Sequence, residues 1–190
     1  MIPAKVRFKS QGWVKFRLNS KLIIVTRCTF EIMMIRPILP EDNTVVKNII
    51  QQTILEYGAP KEGTAYSDKA TQSMYEHFQL PRRVYYVIEL DNEIVGCGGV
   101  GPLDNQEQNI CELQKMYFLP KARGKGYGKE LIQLCIKTAK ELAYSKMYLE
   151  TMDNMFEAQG LYKHMGFKLL NEPMGNTGHY SCPVQMILDL

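Results

Sequence analysis

Residues that bind metal or attack carbonyls are scarce in this chain, and those present are scattered. Only three histidines occur, His77, His164 and His179, and no Cys-x-x-Cys pair exists among Cys28, Cys97, Cys111, Cys135 and Cys182. A zinc site needs clustered ligands and a small secreted domain needs paired cysteines, so neither a metal nor a disulfide framework is expected. Cys97, Cys111 and Cys135 fall in apolar runs and read as small buried hydrophobes, a usage that suits a reducing cytoplasm. No apolar run approaches the ~20 residues that span a bilayer, so no membrane association is expected. Internal repeats and low-complexity tracts are absent as well.

Excess charge of one sign is missing from most of the chain. The net charge is +3 over 190 residues. Residues 1–33 hold seven basic residues against Glu31 alone, so the remainder is mildly acidic. A nucleic-acid-binding face is therefore not expected. The basic segment lacks helical periodicity and precedes Met33-Met34-Ile35-Arg36-Pro37, which looks like a start. Residues 1–33 are expected to be an extension, either a mis-called gene start or an arm for an acidic partner. Residues 34–190 are expected to form one domain. Its composition, 45% hydrophobic and 23% charged, is that of an ordinary globular protein.

What is present has clear periodicity. Ile32–Ile38 alternates like a strand, and Pro40 opens a helix whose apolar positions run from Val45 to Tyr57. Ser67 or Asp68 can cap a short helix ending at Phe78. Val84–Leu90 and Glu93–Val100 read as a hairpin turning at Asp91-Asn92-Glu93. Ile110–Leu119 is a strand, Gly128–Ala143 an amphipathic helix and Lys146–Thr151 a strand. Asn154–Met165 is a helix in which Asn154 and Glu157 resemble a capping box and Gly166 the C-cap. Phe167–Leu170 and Val184–Leu188 close the sheet. This order predicts a three-layer α/β (α+β) domain with a mixed, mostly antiparallel central sheet flanked by helices.

One stretch stands out: Arg123-Gly124-Lys125-Gly126-Tyr127-Gly128-Lys129. It follows a strand and opens a helix. Glycine lets the backbone turn sharply and lets a ligand approach the amides, while the helix N-terminus aims unpaired N–H groups and a positive dipole end at the same point. That makes a pyrophosphate cradle, to which Arg123, Lys125 and Lys129 add charge. The glycine spacing is neither that of a dinucleotide fingerprint nor that of a P-loop.

Arg123, Gly126 and Gly128 resemble the acyl-CoA-binding signature of the GNAT acetyltransferase superfamily. The strand Glu112–Pro120 and the segment Leu161-Tyr162-Lys163-His164-Met165-Gly166-Phe167 extend the likeness over residues 34–190. The resemblance implies the GNAT acyl-CoA N-acyltransferase fold, with acetyl-CoA as cosubstrate and no metal. It implies that the backbone of Met116, Tyr117 and Phe118 pairs with the pantetheine arm and polarises the thioester carbonyl. The segment Arg123, Gly124, Lys125, Gly126, Tyr127, Gly128 and Lys129 would hold the pyrophosphate. Tyr162 would protonate the departing thiolate and Glu112 would take the amine proton. The bland alternatives are a core tyrosine and a strand-edge glutamate. Asn154 would contact pantetheine in many relatives, but it stands eight residues from Tyr162 rather than the commoner seven, so it is also readable as a helix cap.

The implied reaction moves an acetyl group to a primary amine of a small molecule or amino-acid-like acceptor by direct attack. Tyr57–Phe78 and Asn171–Pro183, with Tyr57, Tyr66, Tyr75, His77, His179 and Tyr180, are the segments expected to shape the acceptor pocket. The closing strands of this fold often meet a second copy, so a homodimer is compatible with the pattern. A catalytically silent CoA-binding sensor and a protein or peptide N-acetyltransferase acting with a partner chain both stay open.

Overall fold

Alternating apolar residues in the strand segments can bury one or both faces only by joining a sheet covered by helices. The computed structural model describes residues 5–18, 21–104, 106 and 109–190, with side chains described from residue 32 onward. The strands are β1 (Lys5–Leu18), β2 (Lys21–Pro37), β3 (Val84–Leu90), β4 (Glu93–Pro102), β5 (Ile110–Phe118), β6 (Lys146–Thr151), β7 (Lys168–Leu169) and β8 (Val184–Asp189). They form one sheet in the order β1-β2-β3-β4-β5-β6-β8-β7. Every pair is antiparallel except β5 with β6. The boundary expected at residue 33 falls inside β2, whose Met33–Pro37 end pairs with Tyr86–Leu90.

Five helices pack on the two faces: α1 (Asn43–Glu56), α2 (Lys69–Gln72), α3 (Met74–Phe78), α4 (Tyr127–Glu141) and α5 (Phe156–His164). One core cluster joins Leu131, Ile132, Cys135 and Ala139 of α4 and Tyr162 of α5 to Leu113, Met147 and Leu149. A second joins Val46, Ile49, Ile50 and Ile54 of α1 to Tyr85, Val87 and Cys97. The expected three layers are thus present.

Local chemistry explains the element ends. The β3–β4 turn holds Asp91 at φ 50° and Asn92 at φ 67°, the double left-handed conformation that matches hairpin twist. Gly166, at φ 96°, ends α5 as expected, with Phe167 N–H donating to the Tyr162 carbonyl at 3.0 Å. Three expectations about helices fail. The helix expected up to Phe78 divides into α2 and α3 at Ser73, whose backbone leaves the helical region (φ −148°, ψ 62°). α4 stops at Glu141, and Ala143, placed on its apolar face by periodicity, is exposed at φ 60°. Asn154 does not cap α5; Met155 occupies the N-cap position with no side-chain cap bond. The Asn154 side chain is engaged elsewhere, donating from Nδ2 to the Tyr57 carbonyl at 2.7 Å.

Candidate active site

β5 and β6 begin as neighbours and then part. Their pairing runs only from Ile110 with Lys146 to Glu112 with Tyr148. Beyond Glu112 the edge of β5 that faced β6 loses its ladder partner, so its backbone groups are available to an extended ligand that lies in the gap like an added strand. A β-bulge in the pairing with β4 re-aims the same strand: Cys97 pairs with Tyr117 but Gly99 with Gln114, leaving an extra residue in β5. Lys115 sits in this bulge at φ 50°, a conformation costly for a residue with a side chain. Neighbours hold it there. Tyr85 Oη donates to the Lys115 carbonyl at 2.7 Å, and Lys115 Nζ pairs with Asp68 at 2.5 Å while only 7% exposed.

The gap opens into a cavity of about 430 Å³. Met116, Tyr117 and Phe118 of β5 line one side. The loop and first turn of α4, from Ala122 through Lys129 without Lys125, line the end. Met155, Leu161 and Tyr162 line the other side. Gly124 (φ 70°) and Gly126 (φ 83°) both need the left-handed region, so side chains there would strain the loop. At Gly128 the reason is space, since a Cβ would stand 3.0 Å from Leu161 Cδ2 and 3.5 Å from Met116 Cε. Gly126 is the N-cap of α4 and carries no side-chain cap, so the first-turn N–H groups face the cavity end, a favourable seat for anionic oxygens.

Thr53, on α1, also lines this cavity. Its Oγ1 is the one buried side-chain oxygen or nitrogen without a hydrogen-bond partner among the described residues. A buried hydroxyl left unpaired is costly, so its place on the wall suits a polar occupant such as an amide or phosphate.

The basic residues of the cradle are less available than the motif suggests. Arg123 donates from Nη1 and Nη2 to the Glu56 carboxylate, from Nε to the Phe118 carbonyl at 2.9 Å, and stacks near Tyr57. Lys129 Nζ lies 3.2 Å from His164 Nε2. Lys125 and Asn154 stand outside the cavity lining.

Tyr162 is 7% exposed, and its ring packs against Phe167 with centroids 5.9 Å apart. Burial pushes its pKa upward, so it stays protonated and able to donate. Tyr162, Met116 and Tyr117 are shared with a cavity of about 50 Å³ that also reaches Glu150, Lys115 and Cys182. Burial pushes the Cys182 thiol up to about 12, which makes it a poor nucleophile. Lys115 in turn borders a polar cavity of about 210 Å³ lined by Asp68, His77, Arg83, Glu112, Gln114 and His179, among others. Three neighbouring spaces that share lining residues therefore run from the cradle, past Tyr162, to a charged pocket.

Glu112 is 7% exposed and accepts from Gln114 Nε2 at 2.8 Å. Burial raises its pKa above 4.5, against the pull of His179, Lys115 and Gln114, with Glu150 adding repulsion. Asp68 is the opposite case. Burial opposes its ionisation, but the His179 hydrogen bond and the Lys115 charge hold it at about 2. His179 Nε2 lies 2.9 Å from Asp68, and Thr177 donates to Glu150 at 2.6 Å, so the 171–183 loop is tied to the 59–73 loop and to β6.

Of the aromatic and histidine residues expected at the acceptor, His77 and His179 line the polar cavity. Tyr57, Tyr66 and Tyr75 pack at the edges of core clusters, and Tyr180 is 77% exposed. Sequence reasoning missed Thr53, Asp68, Arg83, Lys115 and Glu150. Lys115 stands in the Glu112–Pro120 strand and the others lie outside the motifs; only the fold brings them together.

A splayed strand pair beside a glycine-bearing helix N-terminus is the arrangement expected of an acyl-CoA site, and the comparisons agree. The acetyltransferase (GNAT) family model matches residues 51–167. The chain belongs to the GNAT acetyltransferase family. It is 39% identical over 158 residues to an uncharacterized N-acetyltransferase, YjgM, of Escherichia coli (strain K12), covering 83% of this chain and 95% of that one. A GNAT-family acetyltransferase from Staphylococcus aureus Mu50 superposes with TM-score 0.69 at 20% identity, covering 83% of this chain and 98% of its own. The yncA protein of Salmonella typhimurium, solved with its cofactor acetyl-CoA, has TM-score 0.67 at 20% identity over 83% and 93%. The GNAT chain described here is thus an N-acetyltransferase with the fold of an acetyl-CoA-binding protein. Among the described residues no cluster of His, Cys, Asp or Glu could hold a metal ion, and no helix is long and apolar enough to cross a membrane.

Proposed function

We propose that this GNAT protein transfers the acetyl group of acetyl-CoA to the primary amine of a small molecule seated in the polar pocket. The observation that carries the reading is the placement of Tyr162, which borders both the large cavity and a small one whose wall includes Lys115, itself a residue of the charged pocket. The diphosphate rests on the first turn of α4 and the pantetheine arm lies along Met116–Phe118. Thr53 Oγ1 gains a partner on the arm. β5 amides polarise the thioester carbonyl, as donors aimed at developing negative charge do.

In the reaction the amine nitrogen bonds to the acetyl carbon and the carbon–sulfur bond breaks. The sulfur leaves as thiolate and takes the Tyr162 proton. The amine proton passes to Glu112, directly or through water. Glu112 is suited to this because its raised pKa makes its carboxylate a stronger base than an exposed one. No enzyme nucleophile is required, which fits the buried, protonated thiols of Cys97, Cys111 and Cys182.

The test is titration calorimetry of acetyl-CoA into the full chain and its Gly126→Asp variant, followed by thiol release with a panel of amines. Binding lost in the variant, with amine-dependent release by the parent, is the expected result. Binding without release from any small amine or peptide would leave a CoA sensor. Release with peptide N-termini alone would move the acceptor to proteins.

A further inference from the structure

The polar pocket is not uniformly acidic, and its one arginine is placed differently from the others. Arg36 is paired with Asp42 and Glu89, Arg123 with Glu56, and Arg82 donates to the Leu142 carbonyl over the Tyr144 ring. Arg83, half-buried on the pocket wall, makes no ion pair with a carboxylate among the described residues. Its hydrogen-bond partner is His77, whose Nε2 lies 2.8 Å from Nη1. Burial and then the Arg83 charge keep His77 below its ordinary pKa. A guanidinium only donates, so Nε2 accepts from it and fixes one edge of the fork.

The backbone beneath is shaped for this approach. Gly101 stands opposite Glu112 across the β4–β5 ladder. The point where a Cβ on Gly101 would stand lies 3.3 Å from Arg83 Nη1 and 3.3 Å from Gln114 Oε1. Gln114 in turn donates to Glu112 at 2.8 Å. A guanidinium and a carboxylate therefore flank one glutamine on a single wall, a spacing suited to a small ligand carrying opposite charges at its two ends. A half-buried guanidinium without an ion-paired carboxylate among the described residues is best satisfied by a planar two-oxygen anion, which it binds with two parallel hydrogen bonds.

We infer that the acceptor is a small amine that also bears a carboxylate, with Arg83 gripping the carboxylate and the amine turned toward Glu112. This rests on the transferase reading above and adds the substrate class. His77 is a positioning residue that acts through Arg83.

The experiment uses the full chain with acetyl-CoA and matched acceptor pairs: amino acids, and the same amines lacking the carboxylate. The wild type is expected to prefer the carboxylate-bearing member of a pair. Arg83→Gln should raise KM for that member by about tenfold or more, with kcat within about twofold, and leave KM for its carboxylate-free partner unmoved. Arg83→Lys should restore part of the loss. Unchanged acetyl-CoA affinity and Tm exclude misfolding. Equal use of both members, or an Arg83→Gln effect of the same size on both, would overturn the inference. If no amine at all releases thiol, the transferase reading fails first. Thermal shift of the CoA-bound protein then decides this one, since a carboxylate-bearing amine should stabilise the wild type but not Arg83→Gln, and no stabilisation would overturn it.

Discussion

Arg123 spends its guanidinium on Glu56, with Nη1 and Nη2 at 2.6 and 2.7 Å from the two carboxylate oxygens. The signature arginine thus ties the cradle to the end of α1, and the Glu56 charge stands beside the seat proposed for the diphosphate. Glu56→Gln removes that charge and loosens the guanidinium. Acetyl-CoA should then bind about three- to tenfold more tightly at low ionic strength, and the gain should shrink at high salt. Calorimetry at two salt concentrations checks this; an unchanged Kd would reduce Arg123 to a strut.

Thr53→Val keeps the side-chain shape and removes the unpartnered hydroxyl. In the protein alone the change should be neutral or slightly stabilising, because no hydrogen bond is lost. Acetyl-CoA affinity should fall about five- to tenfold. A variant with lower Tm and unaltered affinity would show that the hydroxyl serves the fold rather than the ligand.

Tyr162→Phe separates chemistry from folding. Phe keeps the ring and its packing against Phe167, so Tm should stay within a degree or two of the parent. If the hydroxyl protonates the thiolate, kcat should fall about a hundredfold with acetyl-CoA affinity intact. The measurement is steady-state thiol release beside a melting curve, and a kcat close to the parent value would remove the residue from the mechanism.

Glu112 acts as a base only when ionised, and burial holds its pKa above the ordinary 4.5. Among the charged groups around it, His179 and Lys115 draw the pKa back and Glu150 raises it further. The rate should therefore decline as pH falls through this raised value, while an exposed carboxylate would give a limb nearer 4.5. Glu112→Gln should lower kcat/KM about tenfold to a hundredfold and abolish the limb. A limb that persists in the variant belongs to another group.

Asp68 carries a stability prediction of opposite sense. Its pKa is depressed from 3.8 to about 2, so its contribution is present above about 3.8 and is lost as pH falls toward 2. For this half-buried group, discounted for solvent screening, the contribution is on the order of 1 kcal/mol. Urea midpoints measured from pH 5 to pH 2 should fall more steeply for the parent than for Asp68→Asn. Parallel curves would mean that the Lys115 and His179 contacts contribute little.

Periodicity was enough for most of the architecture. Val84–Leu90 and Lys146–Thr151 were legible to the residue because short β-branched and aromatic runs between turn signals have few alternatives. The cradle was legible because Gly126 and Gly128 answer backbone demands, a left-handed N-cap and a close approach to Leu161, that few other residues meet. Asn154 misled for the same reason in reverse: its side chain suits a cap, but a carbonyl 97 residues away holds it.

By itself the sequence determined the layers, the order of strands from Ile32 onward, the glycine-bearing turn into α4 and the family, because each follows from local pattern or from residues adjacent in sequence. Only the tertiary structure decided where β5 leaves β6, that Thr53 stands unpartnered on the cavity wall, that Arg123 answers to Glu56, and that Asp68, Arg83, Glu112 and His179 share one pocket. These relationships join residues tens of positions apart. Their energies come from burial and charge pairing, which exist only once the chain has folded and which leave no periodic trace in the sequence.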